Sequence, residues 1–462
     1  MPLRRVLVAN RGEIARRVIR GCHAEGLEAV AVHSEADAGA PFLDDADGVM
    51  LIGPGPAAQS YLDAGAVLRA ARESGADAVH PGYGFLSENA AFASAVEHAG
   101  LTWIGPPPDV IEAMGSKVAA RLTVAEAGVP VVPGTDGLLP EGADPVAAAT
   151  PIGYPLMVKA SGGGGGIGMQ KVDTPDQLVA AVQTARQRAQ AAFGNGAVFL
   201  ERFLDGPRHV EIQVIADQQG TAIQLGEREC SVQRRHQKVI EESPSCALDA
   251  ELRQRMAAAA LLVARTIGYV NAGTVEFLVD ARRNFYFLEM NTRLQVEHPV
   301  TEMCTGLDLV RMQLRVAAGS ALDITQRDVH HTGHAIEMRI YAEDPYRMLP
   351  SPGTITIYRE PGGDGVRVDG WVREGTTVSH LYDPLLAKLV VHAGTRDQAI
   401  DKALAALDDY DIQGVKTNIA LHRHVLQSAP FRSGDYTTQI LQQIGAPPKL
   451  AAAAALPGAG AT

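Results

Sequence analysis

Short apolar runs that alternate with segments of helical periodicity place the strongest constraint on the fold of this chain. RRVLVAN is typical of a buried strand, and EAVAVHS predicts a second strand soon after it. Between them, apolar residues recur at helical spacing, namely Ile14, Val18, Ile19 and Cys22. The alternation continues through ADAVHPGYG and LTWIGP. Such βαβ units predict a doubly wound α/β N-terminal lobe over residues 1–130.

Two further lobes and a tail are expected in the rest of the 462 residues. Residues 131–203 combine YPLMVKA, a glycine run, an alanine-rich helical segment and VFLERFL, which we interpret as a small, mobile α+β lid. Residues 204–446 carry strand patterns such as HVEIQVIAD, GTVEFLVD and HAIEMRIYAE with helices at ELRQRMAAAALLVARTIG and DQAIDKALAALDD, so a large mixed lobe is predicted. Residues 447–462 are rich in Ala, Pro and Gly and predict a disordered tail or linker.

The overall charge disfavours two classes of partner. A formal net charge of −12 argues against nucleic acid or an anionic membrane, because both require a surplus of Lys and Arg. The start MPLRR precedes only a short apolar run, so neither a secretory leader nor a membrane span is predicted. Four scattered cysteines without a CxxC pattern are typical of reduced thiols in a cytoplasmic protein.

A glycine run marks a candidate phosphate-binding loop. Five consecutive glycines, residues 162–166, are followed by Ile167 between the strand-like segments LMVKA and MQKV. Glycine lets successive N–H groups turn toward phosphate oxygens, whereas a flexible linker seldom joins two tight strands. Lys117 and Lys159 precede the loop, where their ammonium groups would reach phosphates. No GK[ST] follows the loop, and neither Gly53-Pro54-Gly55 nor Gly82-Tyr83-Gly84 extends to a complete GxGxxG, which disfavours P-loop kinases and dinucleotide-binding dehydrogenases.

Two acidic strands predict a metal-binding pair of carboxylates. GTVEFLVD and NFYFLEMN flank a short charged turn, and with a four-residue loop Asp280 would pair with Phe285. The same register sets Glu276 directly opposite Glu289. Asn291 shares the face of Glu289, because it lies two residues further along the strand. Opposed carboxylates destabilise a sheet unless a cation lies between them, so a Mg²⁺ site is favoured over a solvated acidic face.

The period-two pattern is expected to continue through Arg293, Gln295 and Glu297. A guanidinium can hold a planar oxyanion by two parallel hydrogen bonds and a nearby carboxylate can remove its proton, so bicarbonate is a chemically sensible ligand. A purely structural salt bridge between Arg293 and Glu297 is the alternative. The segment CSVQRRHQKVIEE adds a cationic cluster with His236 and Lys238, which would attract phosphate or bicarbonate or else pair with neighbouring glutamates.

Longer motifs in a fixed order resemble those of biotin carboxylases over roughly residues 3–445. They are VANRGEIA, HPGYGFLSEN, MGSK, KASGGGGG, RHVEIQV, CSVQRRHQK, EMNTRLQVEHPVTEM, and AEDP followed by LPSPG. The resemblance implies an ATP-grasp fold and an ATP-dependent ligase. Such an enzyme uses ATP and two Mg²⁺ or Mn²⁺ ions to activate bicarbonate and carboxylates biotin that is bound to a carrier.

The resemblance also implies a role for each matching position. Those matching the nucleotide site are Lys117, Lys159, Gly165 and Gly166 at the phosphates, Glu201 and Leu204 at the adenine, and His209, Gln233 and His236 near the ribose. The metal positions are Glu276, Glu289 and Asn291. The bicarbonate positions are Lys238, Arg293, Gln295 and Val296, with Glu297 as general base. Arg339 matches the residue that faces the biotin ureido oxygen, and Tyr83 matches a nearby pocket wall.

Two features depart from the family pattern. Ile167 stands in the glycine loop where many relatives carry Arg or Lys, which puts nucleotide affinity or lid timing in question. The Ala-Met-Lys-Met context of biotin attachment is absent, so biotin is expected on a separate biotin carboxyl carrier, with a carboxyltransferase as a further partner and a homodimer as the family's oligomeric state. The alternatives are another ATP-grasp carboxylate ligase and a catalytically silent nucleotide-binding subunit.

Overall fold

A five-stranded parallel sheet forms the N-terminal part of the chain. The structure, a computed structural model, describes residues 3–161 and 169–448. The strands are β1 (Arg5–Val8), β2 (Glu28–Ser34), β3 (Gly48–Gly53), β4 (Ala78–His80) and β5 (Thr102–Trp103), in the order β3-β2-β1-β4-β5. The helices are α1 (Gly12–Ala24), α2 (Ala64–Glu73), α3 (Ala90–His98), α4 (Pro108–Gly115) and α5 (Lys117–Glu126).

The βαβ opening predicted from the sequence is confirmed by β1, α1 and β2. The four apolar residues at helical spacing on α1 are all buried, because this face packs between the sheet and residues of the C-terminal part such as Val310 and Trp371. On β1, Val6 and Val8 enter that cluster, whereas Leu7 points to the opposite core. Both faces of the sheet are therefore covered, as expected for a doubly wound arrangement.

A three-stranded antiparallel sheet follows. It consists of β6 (Leu156–Ala160), β7 (Gln170–Val172) and β8 (Val198–Arg202) in the order β7-β6-β8, with α6 (Pro145–Ala149) and α7 (Pro175–Phe193). Alternate residues of β6, Leu156 and Val158, pack against Leu178 of α7 in a separate small core. The predicted glycine loop joins β6 to β7, and Gly165, Gly166 and Ile167 lie outside the described residues.

An eight-stranded antiparallel sheet dominates the rest of the described chain, in the order β13-β12-β9-β10-β11-β14-β19-β17. Its strands are β9 (Arg208–Ala216), β10 (Ala222–Arg234), β11 (Gln237–Ser243), β12 (Asn271–Val279), β13 (Phe285–Asn291), β14 (His334–Tyr341), β17 (Val366–Gly370) and β19 (Leu385–Ala393). Two small sheets pair β15 (Gly353–Thr354) with β18 (Thr377–Val378) and β16 (Ile357–Arg359) with β20 (Asp411–Gln413). TITIYRE is thus divided between two sheets instead of forming one strand.

Helices cover this sheet, and their bounds complete the fold. They are α8 (Ala250–Thr266), α9 (His298–Thr305), α10 (Leu309–Ala317), α11 (Arg396–Asp409), α12 (Ile419–Gln427), α13 (Ala429–Ser433) and α14 (Ile440–Ile444). The two helices predicted in this part correspond to α8 and α11. Within the described residues, none of the helices combines the length and apolarity that a bilayer crossing requires. The predicted tail lies outside the described residues from 449 onward.

A buried glutamate ties the sheet to its C-terminal helices. Glu242 of β11 accepts two hydrogen bonds from Arg396, at 2.7 and 3.0 Å, and is 1% exposed. His334 Nε2 lies 2.7 Å from it and Tyr436 donates at 2.5 Å. Burial raises the pKa of Glu242, but His334 and Arg396 outweigh burial and lower it from 4.5 to about 2.

Glu242→Gln is expected to lower the free energy of unfolding by about 3 to 5 kcal/mol at neutral pH, because it leaves buried cations without their counter-charge. The stabilisation by Glu242 is fully present above pH 4.5 and is lost as pH falls toward the folded-state pKa of about 2. Denaturant unfolding between pH 7 and 2 should therefore show the variant and the wild type converging at low pH. A constant difference down to pH 2 would contradict this assignment.

Candidate active site

The hairpin of β12 and β13 sets two carboxylates opposite each other, although its loop differs from the prediction. Asp280 N–H bonds to the carbonyl of Asn284, so the loop has three residues, and Val279 instead of Asp280 pairs with Phe285. The prediction of an Asp280–Phe285 pair and a four-residue loop is therefore wrong. A bulge on β13 between Phe287 and Glu289 restores the register. The predicted pairing of Glu276 with Glu289 is confirmed.

The two opposed glutamates of the hairpin belong to a row of charged residues that spans four strands, β13, β12, β9 and β10. Glu211 of β9 lies directly opposite Glu276, and Arg228 of β10 lies directly opposite Glu211. Directly opposite residues share one face, so Glu289, Glu276 and Glu211 present three neighbouring carboxyl groups on that face. Arg228 is fully buried and donates to Glu211 at 2.5 Å. Like charges in this arrangement require compensating cations.

Lys238 of β11 supplies much of that compensation. Its Nζ donates to Glu211 at 2.5 Å, to Glu276 at 2.8 Å and to Glu297 at 2.6 Å. Burial lowers the pKa of Lys238, but the three glutamates outweigh burial and raise it well above its usual value. Burial likewise raises the pKa of Glu276, yet Lys238 and His209 hold it well below the ordinary value. Both groups are therefore charged at neutral pH.

The strand pattern predicted beyond Asn291 is wrong, yet the side chains still converge. β13 ends at Asn291, and residues 292–297 form a bend and a turn before α9. Arg293 folds back so that Nη2 donates to Asn291 Oδ1 at 3.0 Å and Nη1 to Gln295 Oε1 at 3.1 Å. Gln295 donates to Glu276 at 3.3 Å. The turn thus brings the side chains of Arg293 and Gln295 back to the row of carboxylates. A strand that continued straight would have carried them away from it.

Glu297 and Arg339 form the second charged centre. Arg339 of β14 donates to Glu297 Oε2 at 2.9 Å and to Glu241 at 2.7 Å. Glu297 is fully buried, and although burial raises its pKa, Lys238 and Arg339 lower it far below the usual value. Glu241 differs, because burial raises its pKa to about 7. The alternative of a structural salt bridge between Arg293 and Glu297 is not the pairing found, since Glu297 bonds to Lys238 and Arg339.

The predicted nucleotide residues that the structure describes also lie around the cavity. Lys117 at the start of α5 donates to Glu289 at 2.8 Å, and Lys159 of β6 donates to Glu201 of β8 at 2.6 Å. Each lysine therefore has an acidic partner in this structure. His209 Nε2 is 2.8 Å from Glu276 Oε2, and Glu276 raises the pKa of His209 against the effect of burial.

The tip between β10 and β11 holds the cationic cluster that the sequence indicates. Arg235 and His236 have φ of 50° and 66°, and the flanking residues Arg234 and Gln237 pair directly. Positive φ at both central residues is the type I′ geometry of a two-residue hairpin. Arg234 forms a bidentate salt bridge with Glu343, whereas His236 lines the cavity. Part of the cluster is thus structural and part faces the site.

One cavity of about 1540 Å³ brings the predicted residues together. Among the described residues, the predicted positions on its wall are Tyr83, Lys117, Lys159, Glu201, Leu204, His209, Gln233, His236, Lys238, Glu276, Glu289, Asn291, Arg293, Gln295, Val296 and Arg339. Glu297 does not line it. The carboxylate of Glu297 accepts hydrogen bonds from Lys238 and Arg339, which do line the cavity. Gly165 and Gly166 lie outside the described residues.

The residues at the hairpin fit a magnesium ion. Glu276 and Glu289 offer carboxylate oxygens, and Asn291 adds an amide, whose Nδ2 donates to Glu276 at 2.7 Å. Oxygen donors of this kind are those that Mg²⁺ prefers. Lys117 and Lys238 each lie 2.8 Å from one of the two carboxylates, which shows that this pair of carboxylates attracts cations.

Sequence reasoning missed several partners of these residues. Glu211 was detectable, because His209, Glu211 and Gln213 alternate with apolar residues in HVEIQVIAD and so share a face with polar character. Glu88, which accepts from Arg293 Nε at 2.8 Å, gave no signal, since 205 residues separate the two. Arg228 on β10 was missed because its strand was not predicted.

Cys230→Ala is expected to be mild. The thiol is fully buried, and its Sγ is 4.0 Å from Glu297 Oε1. Burial, with Glu211 and Glu297 nearby, raises the pKa of Cys230 well above its usual value, so it stays neutral and is a poor nucleophile. Removing one buried atom should cost about 1 kcal/mol of stability and leave turnover within about threefold. A loss of turnover beyond tenfold would contradict this.

Three family models match successive parts of the chain. They are the biotin carboxylase N-terminal domain over residues 2–111, the ATP-binding domain of carbamoyl-phosphate synthase L chain over residues 116–325, and the biotin carboxylase C-terminal domain over residues 337–443. Biotin carboxylase 2 of Bacillus subtilis is 51% identical over 439 residues, which cover 95% of this chain and 99% of that protein.

Solved structures give the same result. A complex of biotin carboxylase from Campylobacter jejuni with a β,γ-ATP compound has a TM-score of 0.92 and 44% identity, and the match covers 96% of this chain and 99% of that one. The biotin carboxylase domain dimer of Hydrogenobacter thermophilus 2-oxoglutarate carboxylase, with MgADP, ADP and bicarbonate, has a TM-score of 0.92 and 45% identity over 96% and 98% of the two chains.

Proposed function

Because the chain belongs to the biotin carboxylase family of ATP-dependent ATP-grasp ligases, we propose that it uses ATP and Mg²⁺ to activate bicarbonate and transfers the carboxyl group to carrier-bound biotin. One observation carries the proposal: Lys238 joins the carboxylates of Glu211, Glu276 and Glu297 at 2.5 to 2.8 Å beside the cavity of about 1540 Å³. Lys238 therefore contacts both Glu276, which would bind the metal, and Glu297, which ends the turn that would bind the anion.

At the nucleotide end, Lys117 and Lys159 would exchange their present acidic partners, Glu289 and Glu201, for phosphate oxygens. Glu276, Glu289 and Asn291 would hold the metal, which would supply positive charge against the negative charge of the phosphates. The remaining expected contacts follow the family match, with Glu201 and Leu204 at the adenine and His209, Gln233 and His236 at the ribose. Gly165 and Gly166 remain predicted phosphate donors.

At the anion end, Arg293, Gln295, Val296 and Lys238 would hold bicarbonate, and Glu297 would remove its proton. A carboxylate with a strongly lowered pKa is a weak base in the resting state. Bicarbonate would bring negative charge to Lys238 and Arg339, which weakens their hold on Glu297 and raises its basicity. A bicarbonate oxygen would then attack the γ-phosphorus as the bond to ADP breaks, giving carboxyphosphate and ADP.

The biotin step would take place beside Arg339. Carboxyphosphate would release CO₂ and phosphate, phosphate would take the proton from the biotin ureido nitrogen, and that nitrogen would attack CO₂. Arg339 would stabilise the negative charge on the ureido oxygen, with Tyr83 as a wall of the pocket. Residues 131–203, as a lid, would exclude water from the unstable intermediate.

The partners are proposed on the same basis. We expect a biotin carboxyl carrier protein or domain to present biotin, and a carboxyltransferase to pass the carboxyl group to an acceptor such as an acyl-CoA. A homodimer is the expected assembly. The cluster of Lys238 with three glutamates and the presence of Arg339 support this function over a silent nucleotide-binding subunit. Arg293, Gln295 and Glu297 support it over a ligase for another carboxylate.

The test is the release of ADP by the purified protein with Mg²⁺ and bicarbonate, in the presence and absence of free biotin. Biotin should accelerate ADP release, and labelled bicarbonate should appear as acid-labile carboxybiotin. Omission of bicarbonate and chelation of Mg²⁺ are the controls, and each should abolish turnover. Turnover that biotin does not change would favour another carboxylate ligase, and no ADP release would favour a silent subunit.

A further inference from the structure

A buried lysine that the proposed mechanism does not use connects three parts of the molecule. Lys388 lies on β19, directly opposite Arg339 of β14, and is fully buried. Its Nζ is 3.0 Å from Glu13 Oε2 and donates to the carbonyl of Val296 at 3.0 Å. Tyr83 donates to the other oxygen of Glu13. Burial of an ammonium group is costly, so its two contacts call for a physical explanation.

The contact with Val296 fixes the turn that carries the proposed base. Val296 lies between Gln295 and Glu297, and its carbonyl shares a planar peptide unit with the nitrogen of Glu297. His298 Nδ1 lies 2.8 Å from the preceding carbonyl, that of Gln295. Two buried side chains thus hold two successive carbonyls of the turn. The orientation of the Val296–Glu297 peptide sets the direction in which the Glu297 side chain leaves the backbone.

Stability alone does not account for this lysine. A buried ion pair can often be replaced by apolar residues of similar volume without loss of stability. Lys388 has a partner in the N-terminal sheet region, Glu13 of α1, and a partner in the turn before α9, Val296. Tyr83, which shares Glu13 with it, lines the cavity. These contacts therefore connect Tyr83, a proposed wall of the biotin pocket, with the turn that carries the proposed bicarbonate-binding residues.

We propose that Lys388, anchored by Glu13, is a positioning residue that orients the Gln295–Glu297 turn for bicarbonate activation. The inference rests on the proposed function and adds to it two residues, Lys388 and Glu13, that the family match assigns to neither nucleotide nor bicarbonate. Lys388 holds the Val296 carbonyl, and Glu297 is thereby kept where Lys238 and Arg339 grip both its oxygens. Displacement of the turn would misalign the base while leaving the lysines at the phosphate end in place.

Lys388→Met tests this, because methionine has a similar length and no charge. We expect kcat/KM for bicarbonate to fall about 10- to 100-fold, as for the loss of a hydrogen bond from a charged donor, with KM for ATP within about twofold of wild type. Lys402→Met is the matched control. Lys402 also holds two backbone carbonyls, those of His392 and Asp364, at 2.8 and 2.9 Å, but neither carbonyl belongs to the turn before α9.

A second readout does not depend on activity. Hydrogen exchange of the amides in residues 293–298 should be faster in Lys388→Met by about tenfold and unchanged in Lys402→Met. Glu13→Gln keeps an acceptor for Tyr83 and removes only the charge, so it should shift both readouts in the same direction by a smaller amount. Glu13→Gln also provides the test of the proposal if Lys388→Met fails to fold.

The outcomes separate the two proposals. If the wild type shows no bicarbonate-dependent turnover, the proposed function fails, and the exchange of residues 293–298 still decides the positioning role. Unchanged exchange in this segment in both Lys388→Met and Glu13→Gln would overturn that role. An equal fall in kcat/KM for ATP and for bicarbonate would also overturn it, because a general loss of structure affects both substrates.

Discussion

Glu297→Gln is expected to lower bicarbonate-dependent ADP release by at least about 100-fold, the usual contribution of a general base. Glutamine keeps the shape of the side chain and an oxygen that can accept from Lys238 or Arg339, which now donate to Glu297 at 2.6 and 2.9 Å. It cannot take the proton of bicarbonate. Steady-state ADP release, with the affinity for an ATP analogue measured in parallel, checks the prediction.

Glu25→Gln is the matched control for Glu297→Gln. Glu25 also accepts from two cations, Arg311 at 2.5 Å and Arg315 at 3.0 Å, but it lies away from the cavity wall. Turnover of the Glu25→Gln variant should stay within about twofold of wild type, because a partly exposed salt bridge at the surface contributes little to stability. Wild-type turnover in Glu297→Gln would exclude Glu297 as the base, and a loss of ATP-analogue affinity would assign the effect to the fold instead.

Arg339→Ala is expected to lower biotin-dependent turnover by about 100-fold or more, because the guanidinium would no longer stabilise the ureido oxygen. ADP release without biotin needs no ureido contact and should fall less. Arg339→Lys keeps the charge and loses the planar fork, so an intermediate rate is expected. The readout is the ratio of ADP release with and without free biotin.

Arg359→Ala is the control for the loss of an arginine. Arg359 is 72% exposed and lies 3.7 Å from Asp411, so its removal should leave both rates unchanged. Equal losses of the two rates in Arg339→Ala would contradict a role at biotin. In that case the buried carboxylate of Glu241, which loses its hydrogen bond from Arg339, and that of Glu297, which keeps only Lys238, would explain the effect through stability, which a lower Tm would reveal.

Local sequence patterns predicted the hairpin of β12 and β13 well. The pairing of Glu276 with Glu289 follows from nearby residues and a short loop, so little else can change it. The prediction succeeded although the loop is one residue shorter than expected, because the bulge on β13 offsets the difference. Such a bulge depends on packing and leaves no clear signal in the strand period.

Patterns of alternation failed where the chain leaves a sheet. Arg293, Gln295 and Glu297 alternate with less polar residues, yet they belong to a bend and a turn. Their side chains reach the site because Glu88, Lys238 and Arg339 hold them, and those partners lie far away in the chain. Periodicity reports which face a residue occupies but not which distant strand becomes its neighbour.

The sequence by itself determined the α/β character, the strands and helices of strong periodicity, the acidic hairpin and, through its motifs, the family. The tertiary structure alone decided that Glu13, Val296 and Lys388 meet, and that Glu297 is shared by Lys238 and Arg339. Short-range order follows from backbone geometry and side-chain period. Long-range contacts depend on the order of strands in the eight-stranded sheet, which burial of the whole chain selects.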